Sequence, residues 1–289
     1  MRRETFHTPG PVRLDLDLPA GAIEIETEET EDTHVELEAL TDNEQVQEMV
    51  AAARIESSRR GNTYEVTVEV RTRHGVWISF SRGPDIRLGT PEMRLRISCP
   101  HGASLDVNTK SADLQARGDY GTVDFKTASG DAHVDRSADA LFKSASGDVH
   151  VDAVDGSLDV KTVSGDVHVF SVARDANVQA VSGDVYIADA GGSIRASTVS
   201  GDQRYEAVLQ GRLELRAVSG DIGVGIRRGS RVFIDANTVS GSTSSEFDLS
   251  DAPAPAAAAP DPDAPLVEIF AKTVSGDVRL ERAPAPAHA

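Results

Sequence analysis

Apolar and polar residues alternate on both sides of a Ser-Gly-Asp turn in the stretch LDVKTVSGDVHV, residues 158–169. Leu158 and Val160 alternate with charged residues before the turn, and Val167 and Val169 flank His168 after it. A period of two is typical of a β-strand with one buried face. The pattern therefore predicts two short strands that are joined by a tight turn.

This unit is repeated along most of the chain. The first six full copies of the turn follow one another at spacings of 17 to 19 residues, and one more copy lies near the C-terminus. Degenerate copies are Ser111-Ala112-Asp113 and Ser240-Gly241-Ser242. The turn residues of the full copies are Gly130, Asp131, Gly147, Asp148, Gly165, Asp166, Gly183, Asp184, Gly201, Asp202, Gly220, Asp221, Gly276 and Asp277.

A unit of two strands and two turns is too small to bury its own apolar face, whereas stacked units bury it together. We therefore predict an all-β fold whose main part, residues 104–282, is a parallel two-sheet β-solenoid of about nine coils of about 18 residues. Right-handed coiling is the default for parallel crossovers. The rival fold is an antiparallel meander in which each Ser-Gly-Asp closes a hairpin.

The remaining segments repeat less. Residues 1–103 are predicted to form a β-rich cap with one helix near residues 42–55, where Thr41 and Glu44 have the spacing of a capping box. The Pro/Ala/Asp-rich run 249–266 is interpreted as a loop inserted into one coil, because its removal restores the repeat length. Residues 283–289 are expected to be a disordered tail.

Composition narrows the possible partners. The formal net charge of −18 disfavours nucleic acid, since an acidic surface repels phosphate backbones. The sequence contains no apolar run of membrane-spanning length and no signal-peptide core, which predicts a cytoplasmic protein without membrane insertion. The single cysteine, Cys99, lies in an alternating strand-like run and is interpreted as a small buried apolar residue.

The repeated corner has a structural explanation. Glycine supplies backbone angles that a Cβ atom would forbid, and serine and aspartate can bond exposed turn amides. The residue before each turn serine is Ala or Val in every full copy, so we expect the corner to be packed.

Three kinds of chemistry could lie on the outward faces. His133, His150 and His168 share one outward position, and a ladder of imidazoles could bind Zn²⁺ or Ni²⁺. The alternative is an exposed position that tolerates flat side chains. The turn aspartates are predicted to cap turns, with Ca²⁺ between coils as the alternative. Catalytic motifs such as Gly-x-Ser-x-Gly, His-Glu-x-x-His and the P-loop are absent from the sequence, which argues against an enzyme.

The recurring VSGDV motif at this spacing resembles the bacterial β-strand-repeat family called "putative adhesin", a domain of unknown function related in style to the toast-rack and adhesin-head-like domains. The resemblance covers most of the chain and implies a β-solenoid from a bacterial source.

Together with the residues, this resemblance predicts a non-catalytic scaffold or binding module without a cofactor, which binds a protein or assembles with itself. The expected interaction face is the outward columns, including Lys126, Lys143 and Lys161 beside the histidines. The alternatives are a metal-binding protein that uses the histidine ladder and a carbohydrate-active β-helix enzyme.

Overall fold

The computed structural model describes residues 1–71, 93–247 and 264–283, which form almost entirely β-structure with one helix. The described chain divides into two compact units, residues 1–137 and 138–289. Most of the predicted loop 249–266 and nearly all of the predicted tail 283–289 lie outside the described residues.

The first unit combines parallel and antiparallel strands. The central strand β2 pairs in parallel with β7 over Arg13–Glu26, and its other edge pairs in parallel with β5 and then with β6. Strands β1, β3 and β6 are joined by antiparallel pairing, as are β4 and β5. The elements are β1 (Arg2–His7), β2 (Val12–Glu28), β3 (Asp32–Ala39), α1 (Glu44–Ala52), β4 (Arg54–Arg60), β5 (Thr63–Glu69), β6 (Met93–Pro100) and β7 (Ala103–Thr127).

The N-cap residue of the helix in this unit lies two residues after the expected one. Asn43, not Thr41, is the N-cap residue, and its side chain accepts a hydrogen bond from the Gln45 amide at 2.9 Å. Val46 and Val50 are the buried residues of α1, as expected for two apolar positions that share one helix face.

The second unit is built from coils, each with one strand before the Ser-Gly turn and one strand after it. The strands are β8 (Ala132–Ser146, of which residues 138–146 belong to this unit), β9 (Val149–Val154), β10 (Leu158–Ser164), β11 (Val167–Val172), β12 (Ala176–Ser182), β13 (Val185–Ala190), β14 (Ile194–Ser200), β15 (Gln203–Val208), β16 (Gly211–Ser219), β17 (Ile222–Ile226), β18 (Arg231–Ser240), β19 (Thr243–Ser245), β20 (Leu266–Ser275) and β21 (Val278–Arg282).

All strand pairing among these coils is parallel, which excludes the meander for this unit and confirms the solenoid. The before-turn row consists, in spatial order, of β8, β10, β12, β14, β16, β20 and β18. The after-turn row consists of β9, β11, β13, β15, β17, β21 and β19. Register is kept from coil to coil except for one irregularity between β15 and β17, so that Leu158 lies between Ala140 and Ala176 and most repeat positions form straight columns.

The last two coils are stacked out of chain order. Strand β16 pairs with β20, and β18 lies on the far side of β20. The coil that is last in sequence is therefore inserted between the coil of β16 and the coil of β18. In the chain, the Pro/Ala/Asp run lies between β19 and β20, and these strands belong to neighbouring coils that are stacked in reversed chain order.

The inward columns of the second unit form its core. Val160, Val178, Ile187 and Leu215 have no exposed surface, and the same holds for most of their column neighbours. This burial follows from the period-two pattern, because every second residue of each strand faces the interior.

Candidate binding surfaces of the coils

The Ser-Gly corner requires glycine for two reasons. Gly165, Gly183 and Gly201 have φ between +130° and +136°, a region that residues with a Cβ atom rarely adopt. A Cβ atom on Gly183 would also lie 2.2 Å from the carbonyl oxygen of Gly165 in the preceding coil. The corners are thus stacked too closely for any side chain at this position.

The turn aspartates bond from coil to coil. The Oδ1 atom of Asp148 accepts a hydrogen bond from the Asp166 amide at 2.8 Å, and Asp166 accepts from Asp184 in the same way. The series continues through Asp202, Asp221 and Asp277, and it ends where Asp277 accepts from the amide and the hydroxyl of Ser242. In the first unit, the Asp131 amide donates to Asp113 at 3.0 Å. These carboxylates therefore satisfy turn amides that would otherwise face solvent.

Two of the predicted ladder histidines stack in the second unit. The His150 and His168 rings have centroids 4.9 Å apart and planes 12° from parallel, and the Tyr186 ring stacks on His168 at 4.5 Å. His150 also lies 3.2 Å from the carboxylate of Asp152. His133 belongs to the first unit, where its Nε2 atom lies 3.6 Å from the carboxylate of Asp135.

The parallel stacking of His150 and His168 limits how the two rings could bind one metal ion. The ring nitrogens of an imidazole bind a metal in the plane of the ring, at about 2.0–2.1 Å for zinc. In nearly parallel rings 4.9 Å apart, these directions run side by side and do not converge on a common point. As they stand, the two rings form an aromatic ladder, and metal binding by the predicted set stays a prediction.

The basic residues and the histidines lie on different rows of strands. Lys143 and Lys161 are adjacent on the before-turn row, and Arg216 and Lys272 continue their column further along. The histidines occupy the after-turn row. In the second unit the lysines and the histidines therefore lie on opposite sides of the turn, and their use as one interaction face stays a prediction.

A polar groove of about 430 Å³ runs over the before-turn row. Arg195 and Arg212 both bond the Glu214 carboxylate, at 3.2 Å and 2.9 Å, and this pairing lowers the Glu214 pKa. Deeper in the groove, the Asn177 amide donates to Asp159 at 2.8 Å. One oxygen of each of these two side chains is buried without a hydrogen-bond partner.

Sequence reasoning missed this groove although its residues hold one repeat position. Asp159, Asn177, Arg195 and Glu214 follow one another in the outward column, which an alignment of the repeats could have shown. The guanidinium of Arg212 also stacks on Phe270 at 4.3 Å. That contact could not be found by alignment, because it depends on the out-of-order position of β20.

One buried polar network crosses the core of the second unit. Gln203 is 1% exposed and lies in its column between the apolar residues Val185 and Ile222. Its Nε2 atom donates to Thr198 Oγ1 at 2.9 Å and to the Arg216 carbonyl at 2.8 Å, while its Oε1 accepts from Tyr205 at 3.2 Å. Burial raises the pKa of Tyr205, which therefore stays a hydrogen-bond donor.

The cysteine of the first unit is chemically protected. Cys99 is fully buried, and burial raises the pKa of its thiol to about 12. Because the thiolate is the reactive form, Cys99 acts as a packed apolar residue.

Among the described residues, the single helix α1 is not long and apolar enough to cross a bilayer.

Comparison with solved structures finds several matches at low sequence identity. A crystal structure from Bacteroides fragilis, described as a putative adhesin, is 12% identical with a TM-score of 0.45, and the match covers 96% of each chain. A putative cell adhesion protein from Clostridium sporogenes is 10% identical with a TM-score of 0.31, over 97% of this chain and 99% of the other. A putative adhesin from Parabacteroides distasonis is 12% identical with a TM-score of 0.39, over 78% and 96%.

No curated protein sequence matches the chain. In contrast, the family model described as Toastrack DUF4097 matches residues 12–281, a range that includes the coils and most of the first unit. The resemblance that the repeated VSGDV motif indicates is thereby confirmed. The protein belongs to the Toastrack DUF4097 family, whose function is unknown.

Proposed function

We propose that this protein is a non-catalytic β-solenoid module that acts as a scaffold and binds a protein partner or a second copy of itself. The observation that carries this proposal is the regular register of the coils, which arranges the outward side chains of successive coils in exposed columns. Such periodic surfaces match other extended protein surfaces, whereas a small substrate needs an enclosed pocket with convergent groups.

The polar residues of the repeat support this interpretation. The turn aspartates of the second unit bond amides of the next coil, and Gln203 is bonded on both ends inside the core. These groups have a structural use, and they are not arranged as an acid and a base on either side of a substrate. The exposed columns are what remains for recognition.

The alternative is a metal-binding protein, in which His150 and the Asp152 carboxylate 3.2 Å away would hold the ion. A ligand that binds only the folded state raises the thermal midpoint as its concentration increases. We would measure the midpoint of the purified protein with EDTA, Ca²⁺ and Zn²⁺, together with a His150→Ala variant. The scaffold proposal expects no metal-dependent change in either protein.

A midpoint that rises with Zn²⁺ in the wild type and not in His150→Ala would replace the scaffold with the metal-binding alternative. The same preparation should be incubated with neutral and acidic polysaccharides, and new reducing ends or unsaturated products should be assayed. Turnover of any of them would contradict the non-catalytic proposal.

A further inference from the structure

A line of valines lies exposed along the corner of the second unit. The residue before each turn serine is half-exposed, at 45–52% in β10, β12, β14, β16 and β20, and Val239 of β18 is 82% exposed. The expectation that this corner is packed is therefore wrong. We call this surface the valine stripe, and in spatial order it consists of Val163, Val181, Val199, Val218, Val274 and Val239.

Parallel register makes the stripe straight and continuous. The residues on either side of each valine pair directly with their equivalents in the next coil, as Thr162 does with Ala180 and Ser164 with Ser182. Adjacent strands lie about 4.8 Å apart, so six coils give a stripe of about 24 Å. Soluble monomers rarely expose large contiguous apolar patches, and those that do often use them for binding.

The coils do not need valine at this position in order to fold. The core of each coil is closed by the neighbouring residue, such as Thr162 at 5% exposure or Thr198 at 2%. Among the described residues, nothing covers the outward half of the valine side chains. The repetition of an apolar residue at an exposed site therefore points to a surface that is covered by another molecule.

Opposite charges flank the two sides of the stripe. Two residues before the valines, on the same outward face, lies an exposed column that includes Lys161, Arg216 and Lys272. Beyond the turn on the other side lies the aspartate series that includes Asp166 and Asp221. Across the corner, a basic column, the apolar valine stripe and an acidic column therefore lie side by side in this order.

We propose that the valine stripe is the contact surface for a second copy of this chain, with the two solenoids side by side and pointing in the same direction. This inference rests on the proposed scaffold function and specifies its partner. A two-fold axis parallel to the stack places the stripes face to face. It also places Lys161 of one copy level with Asp166 of the other, and Arg216 level with Asp221, in both directions across the interface.

The antiparallel arrangement is disfavoured by the same charges. A two-fold axis perpendicular to the stack would place the basic column of one copy against the basic column of the other. Like charges brought together at an interface are costly and exclude such pairings. In addition, two copies that each carry a net charge of −18 repel at long range, so they associate only where opposite charges meet locally.

Single cysteines along the stripe test both contact and direction. The native Cys99 is buried and does not compete. In a parallel pair each stripe residue meets its own equivalent, so Val163→Cys, Val199→Cys and Val274→Cys should each give a reducible dimer of similar yield under mild oxidation. An antiparallel pair would cross-link efficiently only near the middle of the stripe, which would overturn the proposed direction. Phe170→Cys, an exposed position on the after-turn row, is the matched control.

Mass measurements test whether the stripe drives association. Sedimentation velocity should show the wild-type mass rising above 30.7 kDa with concentration. Val181→Glu/Val218→Glu should remain monomeric, whereas Phe170→Glu/Ser244→Glu, which adds the same charge on the after-turn row, should behave like the wild type. A wild-type chain that stays monomeric, or cross-links formed equally in Phe170→Cys, would overturn the stripe interface. Neither result would bring in metal binding or turnover, which are the outcomes that contradict the scaffold function.

Discussion

The coil of β12 and the coil of β18 carry the same Ser-Gly turn, yet they differ in burial. Val178 in β12 is completely buried, whereas Ile234 and Ala236 in β18 are only half-buried. Strand β12 is paired on both edges, while β18 pairs only with β20 among the described strands. Complete burial of an inward residue therefore requires a paired strand on each side. The alternating sequence pattern determines only which residues face inward.

The turn of the β18 coil also differs in sequence from the turns of the interior coils. Interior turns end in aspartate, whose carboxylate accepts the amide of the next coil, but the turn of the β18 coil has Ser242 at that position. Ser242 donates its amide and hydroxyl to Asp277 but has no carboxylate to accept a further amide, and no further described coil follows it. The degenerate motif thus marks the end of the stack, even though another coil follows it in the chain.

Substitution of the turn glycines should reveal the largest difference in stability between the interior coils and the β18 coil. A Cβ atom on Gly201 or on Gly241 would lie 2.1 Å from a carbonyl oxygen of the adjacent coil, and both residues have positive φ. Gly201→Ala should lower the free energy of unfolding of the second unit by about 4 kcal/mol, from backbone strain and overpacking. Gly241→Ala should cost less than half of that, because a terminal coil can move outward.

Urea unfolding followed by far-UV circular dichroism would measure both variants. Equal losses would show that the β18 coil is held as rigidly as the interior coils, in contradiction to its exposure.

Core truncation should show the next largest contrast. Ile269 and Ile234 are neighbours in one inward column, but Ile269 is fully buried and Ile234 only partly. Ile269→Ala should cost about 2–5 kcal/mol, as is usual for a large-to-small change in a packed core. Ile234→Ala should cost about 1 kcal/mol, since it opens no enclosed cavity. The same urea experiment decides the matter, and a larger loss for Ile234→Ala would mean that another segment covers this end.

The sequence is sufficient to predict much of the fold but less of the surface. Alternation around Ser-Gly-Asp predicts the strands and the straight columns, because period and register are local properties repeated in every coil. Chain order could not predict that β20 lies between β16 and β18, since parallel pairing is equally possible in either order. The exposure of Val181 and Val218 was also missed, because an apolar residue beside a turn has the same pattern whether it faces the core or solvent.

Among the candidate sites, the repeat spacing predicts that His150 and His168 lie in one column, but it does not predict the orientation of their rings. Stacked rings follow from side-chain packing on a flat sheet face, which spacing alone does not determine. Similarly, Asn43 caps α1 in place of Thr41 because either residue can bond a free amide, and only the backbone path decides between them.

Two polar residues at the same inward position of the after-turn strands allow a third comparison between an interior coil and the β18 coil. Gln203 is buried and fully bonded, and the equivalent Thr243 of the β18 coil is exposed. Gln203→Ala should cost about 1–3 kcal/mol in the free energy of unfolding, because Tyr205 and the Arg216 carbonyl lose buried partners. Thr243→Ala should be nearly neutral by urea unfolding. A neutral Gln203→Ala would mean that the network does not hold these coils together.

The smallest effect is expected in the titration of the last aspartate. Hydrogen bonds from the Ser242 amide and hydroxyl lower the pKa of Asp277, so these bonds stabilise the terminal coil above the pKa that Asp277 has in the unfolded chain. That stabilisation is lost as the pH falls through the lowered pKa in the folded state. Ser242→Ala removes only the hydroxyl, so the Asp277 pKa should rise part of the way toward its ordinary value. Carboxyl ¹³C NMR from pH 6 to pH 2 would measure the shift, with Ser244→Ala as the control in the same coil. An unchanged pKa in Ser242→Ala would show that the amide alone holds the carboxylate, and that the end of the stack is anchored by backbone bonds.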